Sequence, residues 1–251
     1  MSEPQLTTPA PAPAPPARDP FWGYQDLALF AALAVPNLLV AFTVVRGVYL
    51  VAGYESESKA APLLASQFLG YGLWFLSLYV LLKLRYDRPF WPALGWVRPR
   101  VGLWTSLMGG PALAVLVASL GVVLKTPEIN MPIKDLLSDR FSILLVGIFA
   151  TTLGPLCEEL AFRGFLLPLV ARSLGTVAGV LISALPFAIL HGPQYSWSWR
   201  HILLITLAGV AFGTVRLWTR STLAAALMHA GYNFAFFAAY VFQGKDLPTR
   251  W

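Results

Sequence analysis

Long apolar runs separated by short polar segments organise most of the chain. Seven runs have about the length of a membrane-crossing helix: residues 27–54, 62–84, 101–124, 141–170, 174–190, 201–218 and 222–242. An α-helix needs about 20 apolar residues to cross the hydrocarbon core of a bilayer, because it rises about 1.5 Å per residue. Short segments of alternating polarity, which indicate a transmembrane barrel, do not occur. The pattern therefore predicts an all-α membrane protein with several crossings.

The composition supports the same class. Hydrophobic residues make up 57% of the 251 positions and charged residues only 12%, whereas a soluble domain has roughly 25% charged residues. These charged residues are too few to cover the water-facing surface of a soluble protein. We expect an all-α polytopic membrane protein, a bundle of seven to eight transmembrane helices within a single domain at 21–251. Residues 1–20 are rich in proline and alanine and are expected to form a disordered tail without a core.

Charge and cysteine content limit the possible partners, the disulfides and the orientation in the membrane. The formal net charge is +6, but no basic stripe is interleaved with aromatic residues, so nucleic acid is not an expected partner. The single cysteine, Cys157, allows no intrachain disulfide. The segment 83–100 carries five basic residues against one acidic residue, and the positive-inside rule places such a segment in the cytoplasm. Two helices precede this segment, so the N-terminus is expected in the cytoplasm as well.

The long run 141–170 allows two topologies. As a single crossing it gives seven helices. Three later arginines then lie on the cytoplasmic side, as the positive-inside rule prefers: Arg172, Arg216 and Arg220. However, Glu158 would then lie about 25 Å along its helix from the outer face, while His191 would end the next helix near that face. A break at Gly154-Pro155 gives eight helices and brings both residues toward the cytoplasmic side. We expect a break, because the residues of one site must touch, and a strong kink or a partial crossing at Pro155 would serve as well.

Three ionisable side chains interrupt this apolar run, in the pattern Glu158-Glu159-x-x-x-Arg163. Each costs about 2.5 kcal/mol or more inside a membrane segment, so a functional site is the default hypothesis. On a helix, Glu159 and Arg163 are i,i+4 and can pair, while Glu158 points about 100° away. Glu158 is then free to act as a general base in an apolar site. The alternative is a set of structural ion pairs that hold helices together.

Two further polar groups occur in the last apolar runs. Phe187-x-x-x-His191 ends one helix, and His229-x-x-x-Asn233 places two polar side chains on one face of another. Each group alone is explained by hydrogen bonds between helices. Together with the carboxylates they supply a base, two imidazoles and an amide, which suit the activation of water against a carbonyl. The site is therefore expected in the last four helices. The remaining histidine, His201, is expected at the membrane interface without a chemical role.

The three motifs, in this order and spacing, resemble those of the CPBP family of intramembrane endopeptidases, also called the Abi or CAAX-protease family. The resemblance covers about 141–240, the expected catalytic core, and the first 140 residues are similar only in forming membrane helices. It implies peptide-bond hydrolysis within the membrane. The residues that it marks as catalytic are Glu158, Glu159, Arg163, His191, His229 and Asn233.

The resemblance also implies a role for each of these residues. Glu158 and His191 would position and activate the water. His229 and Asn233 would stabilise the tetrahedral oxyanion or help to bind a metal. Glu159 with Arg163 would hold the geometry of the site.

The use of a metal stays open at this point. Glu158, His191 and His229 would form a catalytic Zn²⁺ site with one open position. Equally, two imidazoles and an amide would form an oxyanion hole without metal. Other protease types fit poorly, because the sequence contains no His-Glu-x-x-His, no Gly-x-Ser-x-Gly and no aspartate within an apolar run. Cys157 is interpreted as a packing residue.

The leading hypothesis is an intramembrane endopeptidase that acts on a membrane protein or peptide within the lipid bilayer. A bacterial cytoplasmic membrane and a substrate without a prenyl group are expected. The alternative is a non-catalytic membrane protein, such as a bacteriocin immunity factor or a small transporter, that uses the charges to bind ions or a partner. No internal repeat typical of transporters is seen. The sequence predicts no oligomeric state.

Overall fold

The computed structural model describes residues 19–53, 56, 58, 60–129, 136–137 and 139–243. All helix bounds and contacts given below belong to these residues. The tail predicted at 1–20 lies almost entirely outside the described residues. The tail, and the division of the chain into a tail and a single domain, therefore stay predictions.

Helices are the only regular secondary structure in the described part of the chain. It contains ten α-helices: α1 Tyr24–Ala52, α2 Ala60–Tyr86, α3 Phe90–Ala93, α4 Leu103–Val123, α5 Arg140–Thr151, α6 Leu153–Glu159, α7 Leu167–Leu174, α8 Thr176–Leu190, α9 Trp199–Thr219 and α10 Thr222–Gln243. A π-helix at Leu160–Leu166 joins α6 to α7, and a 3₁₀ turn at Gly192–Tyr195 follows α8. The predicted all-α class is confirmed.

Six helical segments of the described chain are long and apolar enough to cross a membrane: Tyr24–Ala52, Ala60–Tyr86, Leu103–Val123, Arg140–Leu174, Trp199–Thr219 and Thr222–Gln243. We call Arg140–Leu174 the broken helix, because it runs through α5, α6, the π-helix and α7. Helix α8 is also apolar but has only 15 residues, about 22 Å of helix. The expected polytopic membrane bundle is confirmed.

Contacts at the two ends of the bundle establish the path of the broken helix. It begins near the start of α2, since the hydroxyl oxygens of Ser142 and of Ser58, two residues before α2, are 2.7 Å apart. It ends beside the start of α1, because Arg172 donates a hydrogen bond to the carbonyl of Pro20. Helix α1 starts, and α2 ends, at this same end of the bundle, which we call the N-terminal face. The broken helix therefore passes through the bundle once, from the opposite face to the N-terminal face.

Helices α8 and α9 complete the pattern. Helix α9 begins at the opposite face, where Arg200 donates to the carbonyl of Lys125 beyond α4, 2.9 Å away. It ends at the N-terminal face, where Ser221 donates to the carbonyl of Val97. The described chain thus passes seven times, through α1, α2, α4, the broken helix, α8, α9 and α10. A reversal of the chain at Gly154-Pro155, and with it an eighth helix, is not supported.

The depth argument for that reversal fails because α8 is short. His191, at the end of α8, lies about 22 Å along the helix from its start, less than the roughly 30 Å of a hydrocarbon core. Glu158 precedes Leu174 by 16 residues, which places it about 24 Å from the same face. The two residues share a depth without another crossing. The broken helix does bend near the predicted position, but at Thr152, whose φ of −130° and ψ of −80° end α5.

The loop after α2 packs against the site-bearing helices. Leu94 is fully buried, and its carbonyl accepts a hydrogen bond of 2.6 Å from the Thr222 hydroxyl. The backbone N–H of Thr222 donates to the carbonyl of Gly95 over 2.8 Å. A Cβ on Gly164 would lie 3.0 Å from the Leu94 carbonyl oxygen. The loop therefore fixes the first turn of α10 against the π-helix.

Helix α10 crosses α4 at backbone contact. A Cβ on Gly231 would lie 2.3 Å from the carbonyl oxygen of Leu107, and one on Gly110 would lie 2.2 Å from that of Met228. Small residues allow such an approach of helices in membranes. Because Met228 and Gly231 flank His229, the crossing sets the position of that histidine.

We expect Gly231→Ala to lower both stability and activity, because the added methyl group must displace a backbone. Overpacking of this kind costs about 1–3 kcal/mol. Gly47→Ala is the matched control, since Gly47 lies within α1 and an added Cβ meets nothing within 4 Å. Thermal unfolding in detergent should show a lowered midpoint for Gly231→Ala alone. Equal midpoints for the two variants would contradict a close α4–α10 crossing.

Candidate active site

Glu159 and Arg163 form a buried ion pair in the broken helix. Both side chains are fully buried, and Nη1 of Arg163 donates to Oε1 of Glu159 over 2.8 Å. Nη2 of Arg163 donates to the carbonyl of Gly209 in α9, also over 2.8 Å. The i,i+4 pair expected from the sequence is present. It also ties the broken helix to α9.

His229 joins this pair from α10. Its Nδ1 lies 3.0 Å from Oε1 of Glu159. Since a carboxylate only accepts hydrogen bonds, Nδ1 carries the hydrogen. Nε2 then faces Glu158, with 3.7 Å between Nε2 and Oε2. The side chains therefore form a sequence from Arg163 through Glu159 and His229 to Glu158, which we call the buried relay. In it Glu159 orients an imidazole, as the carboxylate does in hydrolytic triads.

Glu158 is the accessible end of the buried relay. Its side chain is 24% exposed, whereas that of His229 is 3% exposed and Glu159 and Arg163 have no exposure. A water or substrate therefore reaches Glu158 first. The two adjacent glutamates thus differ in exposure and in contacts, and their different tasks stay a prediction.

Phenylalanine rings surround the guanidinium of the relay. The Cζ atom of Arg163 lies between 4.6 and 5.9 Å from three ring centroids: Phe162, Phe187 and Phe212. The Phe212 ring also stacks on His229 at a centroid distance of 4.5 Å. The faces of these rings attract the cation, and their bulk keeps water away. Electrostatic interactions within the relay are therefore stronger than they would be in water.

His191 lies at the end of α8, against the same aromatic wall. Its Nδ1 is 2.8 Å from the carbonyl oxygen of Phe187, so Nδ1 donates, and Nε2 of the neutral ring is a free acceptor. The His191 ring lies 4.7 Å from that of Phe187, which in turn lies 5.6 Å from that of His229. Within the described chain, His191 makes no hydrogen bond or ion pair with Glu158. The structure thus brings His191 near the relay without joining it directly.

Asn233 lies one turn beyond His229 on α10. Its Nδ2 donates to the carbonyl of Ala150 over 2.8 Å, close to the bend at Thr152. One amide hydrogen is therefore used, and the other is available. The contact links α10 to α5, so Asn233 has the interhelical role that its motif alone allowed.

The charges of the relay do not balance without an additional proton. Glu158 and Glu159 contribute two negative charges, and Arg163 contributes one positive charge. A net charge in a buried site is unfavourable. A proton on Nε2 of His229 would neutralise the cluster and leave Glu158, whose Oε2 lies 3.7 Å away, as a carboxylate. The arrangement thus places an imidazole nitrogen beside the accessible carboxylate.

Sequence reasoning missed three residues that help to build the site. Gly209 and Phe212 lie on α9 against the guanidinium. The Gly-x-x-x-Gly spacing of Gly209 and Gly213 is the signal that identifies this helix contact. Tyr71 in α2 is close enough to Glu158 to interact with it electrostatically. Nothing in the pattern of α2 marks Tyr71, because that helix looks uniformly apolar.

The expected zinc ligands are not gathered as a metal site. The described residues contain no group of three or more histidine, cysteine, aspartate or glutamate side chains that could hold a metal ion. Glu158 and His229 approach each other, but His191 does not join them, and Nδ1 of His229 is already bonded to Glu159. This donor set does not fit a zinc ion as it is placed. Zinc binding stays a prediction.

Comparison with known families identifies the segment that contains the relay. Residues 140–235 match a family model described as Rce1-like, type II CAAX prenyl endopeptidase. The matched segment holds all three motifs and nearly coincides with the expected catalytic core at 141–240. Searches of curated proteins and of solved structures returned no match. Over residues 140–235 the chain is similar to the Rce1-like type II CAAX prenyl endopeptidases, and this match confirms the resemblance of that segment to the CPBP family of intramembrane proteases.

Proposed function

We propose that the protein hydrolyses a peptide bond of a membrane-associated protein or peptide, with Glu158 as the general base. The observation that carries this proposal is the buried relay, which ends in a single accessible carboxylate. The family match supports endopeptidase activity in general. The roles of individual residues are our inference from the geometry.

In the first step, the Glu158 carboxylate takes a proton from a water molecule, whose oxygen attacks the carbonyl carbon of the peptide. The free Nε2 of His191 accepts the second hydrogen of this water and so orients it. A positioned general base of this kind contributes about 10²–10⁴-fold to the rate. The carbonyl oxygen becomes an oxyanion.

In the second step, the oxyanion is stabilised while the peptide bond breaks. His229, with a proton on Nε2, donates from that nitrogen, and Asn233 donates its second amide hydrogen. Glu158 passes the proton taken from water to the peptide nitrogen as the C–N bond breaks. The products are a carboxylic acid and an amine, and Glu158 returns to its carboxylate form.

No step of this scheme requires a metal. Metal analysis of the active preparation decides between the scheme and a zinc mechanism. Active protein without bound metal and insensitive to chelators would exclude zinc. Loss of activity on chelation, restored by Zn²⁺ alone, would overturn the metal-free scheme.

We propose that the protein lies in a bacterial cytoplasmic membrane with its N-terminal face toward the cytoplasm. Basic residues gather at that face: Lys83, Arg85, Arg88, Arg98, Arg100, Arg172, Arg216 and Arg220. The seven-pass path puts the three later arginines at the same face as the cluster at 83–100. The positive-inside rule therefore supports this orientation. A bacterial location favours a substrate without a prenyl group.

We expect His191→Ala to abolish cleavage while leaving the unfolding midpoint close to that of the wild type. Within the described chain its side chain bonds only to a carbonyl of its own helix, so little packing between helices is lost. His201→Ala is the control, since His201 stacks on Tyr195 at 4.7 Å and lies outside the relay. Purified protein in detergent is tested on prenylated and unprenylated membrane peptides, with products identified by mass spectrometry. Full activity of His191→Ala would contradict its role in holding the water.

The same assay separates the enzyme from the non-catalytic alternative. Cleavage by wild type that disappears in both His191→Ala and Glu158→Ala supports the proposal. If wild type and Glu158→Ala give the same products, or none, the protease proposal is wrong. Binding of ions or of a partner protein would then explain the buried charges.

A further inference from the structure

Two cavities outside the candidate active site have Arg85 as a common lining residue. One is a groove of about 540 Å³ between α1 and α2, lined mostly by leucine and valine side chains. The other is a cavity of about 310 Å³ at the N-terminal face, lined by aromatic, polar and basic residues. Arg85, near the end of α2, lines both. We call the first cavity the apolar groove and the one at the N-terminal face the polar end.

The polar end is positively charged. Arg85 and Arg172 line it, and Asp26 is the one carboxylate among its lining residues in the described chain. Asp26 is buried, pairs with Arg85 at 3.1 Å and accepts a hydrogen bond of 2.6 Å from the Tyr86 hydroxyl. Arg172 donates to the carbonyl of Pro20 and, within the described chain, pairs with no carboxylate. One positive charge with unused N–H donors is therefore left over, which suits an anion.

The apolar groove has the length of one acyl chain. Its lining extends along α2 from Leu73 to Arg85, a distance of about 18 Å over 12 residues. This distance is slightly more than half of a hydrocarbon core of about 30 Å, and so matches one leaflet. A membrane-spanning peptide would need the full thickness. The polar residues on the groove wall, Asn37 and Ser77, are bonded to each other at 3.3 Å and so do not call for a polar ligand.

We propose that these cavities bind an anionic glycerophospholipid, with one acyl chain in the α1–α2 groove and its phosphate on Arg85 and Arg172. Guanidinium groups form paired hydrogen bonds with phosphate, and basic residues at a membrane surface attract anionic lipids. The bound lipid connects α1 and α2 to α7, the last part of the broken helix. The site does not depend on the proposed hydrolysis.

Lipid preference tests the headgroup contact. The purified full-length protein in detergent is titrated with phosphatidylglycerol or with phosphatidylcholine of the same acyl chains, and bound lipid is counted by native mass spectrometry. We expect phosphatidylglycerol to bind about tenfold more tightly, and Arg172→Gln to remove most of this difference. Arg172 is changed rather than Arg85, because Arg85 supports the buried Asp26. Arg98→Gln is the control, an exposed arginine of the same face that lines neither cavity.

A second pair of variants tests the acyl-chain contact without changing charge. Val80 lines the groove and is 41% exposed, whereas Val48 is 61% exposed and does not line it. We expect Val80→Trp to weaken phosphatidylglycerol binding several-fold and Val48→Trp to leave it unchanged. Glycerol 3-phosphate, which has no acyl chains, should not raise the unfolding midpoint at concentrations where phosphatidylglycerol does.

Four results would overturn the proposal. They are equal binding of the two lipids, a full preference in Arg172→Gln, equal binding by the two tryptophan variants, and a midpoint shift produced by glycerol 3-phosphate alone. The last result would indicate an anion site without a lipid.

Discussion

Glu158→Gln is expected to lower kcat/KM for peptide cleavage by about 10²–10⁴-fold, the usual contribution of a general base. The amide has the shape of the carboxylate but does not take a proton from water. The unfolding midpoint should change little, because the side chain is partly exposed and its contact with His229 is long, at 3.7 Å. Cleavage rates and thermal unfolding of the same preparation provide the measurement.

Glu128→Gln is the matched control for this prediction. It is the same chemical change at an exposed glutamate outside the broken helix and should alter neither rate nor midpoint. A wild-type cleavage rate in Glu158→Gln would remove Glu158 from the mechanism. A large fall in the midpoint would instead support the alternative in which both glutamates are structural.

Arg163→Met is expected to have the largest effect on stability. It leaves the Glu159 carboxylate fully buried without its cation, and removing one partner of a buried pair costs about 3–5 kcal/mol. The guanidinium also bonds to the carbonyl of Gly209, so the broken helix loses a contact with α9. We expect a strongly lowered unfolding midpoint and no activity.

Lys83→Met is the control, because Lys83 and Asp87 are also i,i+4. The side chains of this pair are 54% and 84% exposed. Water compensates for the lost partner at such a site, so no measurable change is expected. The double variant Glu159→Gln/Arg163→Met removes both buried charges and should regain part of the lost stability but none of the activity. A wild-type midpoint for Arg163→Met would show that the pair does not hold the fold.

The helices were predictable because their signal is local. The run at 62–84 and helix Ala60–Tyr86 differ by two residues at each end. The path of the broken helix was not predictable in this way. It depends on where α8 stops, and the sequence argument assumed that each apolar run reaches both surfaces. A helix packed among others can end inside the bundle, and α8 does so at His191.

The candidate site shows the same division between local and long-range information. The pairing of Glu159 with Arg163 follows from helical spacing and is present. The bond from His229 to Glu159 joins residues 70 positions apart, and no spacing rule reaches that far. The sequence therefore predicted the contact of Glu159 with Arg163 but not its contact with His229.

The backbone contact between α4 and α10 has a consequence for protein engineering. The family match begins at residue 140 and leaves out α4, yet α4 packs against Gly231, two residues after His229. Residues 140–235 are therefore not a portable module. Grafted onto unrelated helices, these residues would include every motif residue but would lack the α4 surface against which α10 packs. A working chimaera must include Gly110 and the helix that bears it.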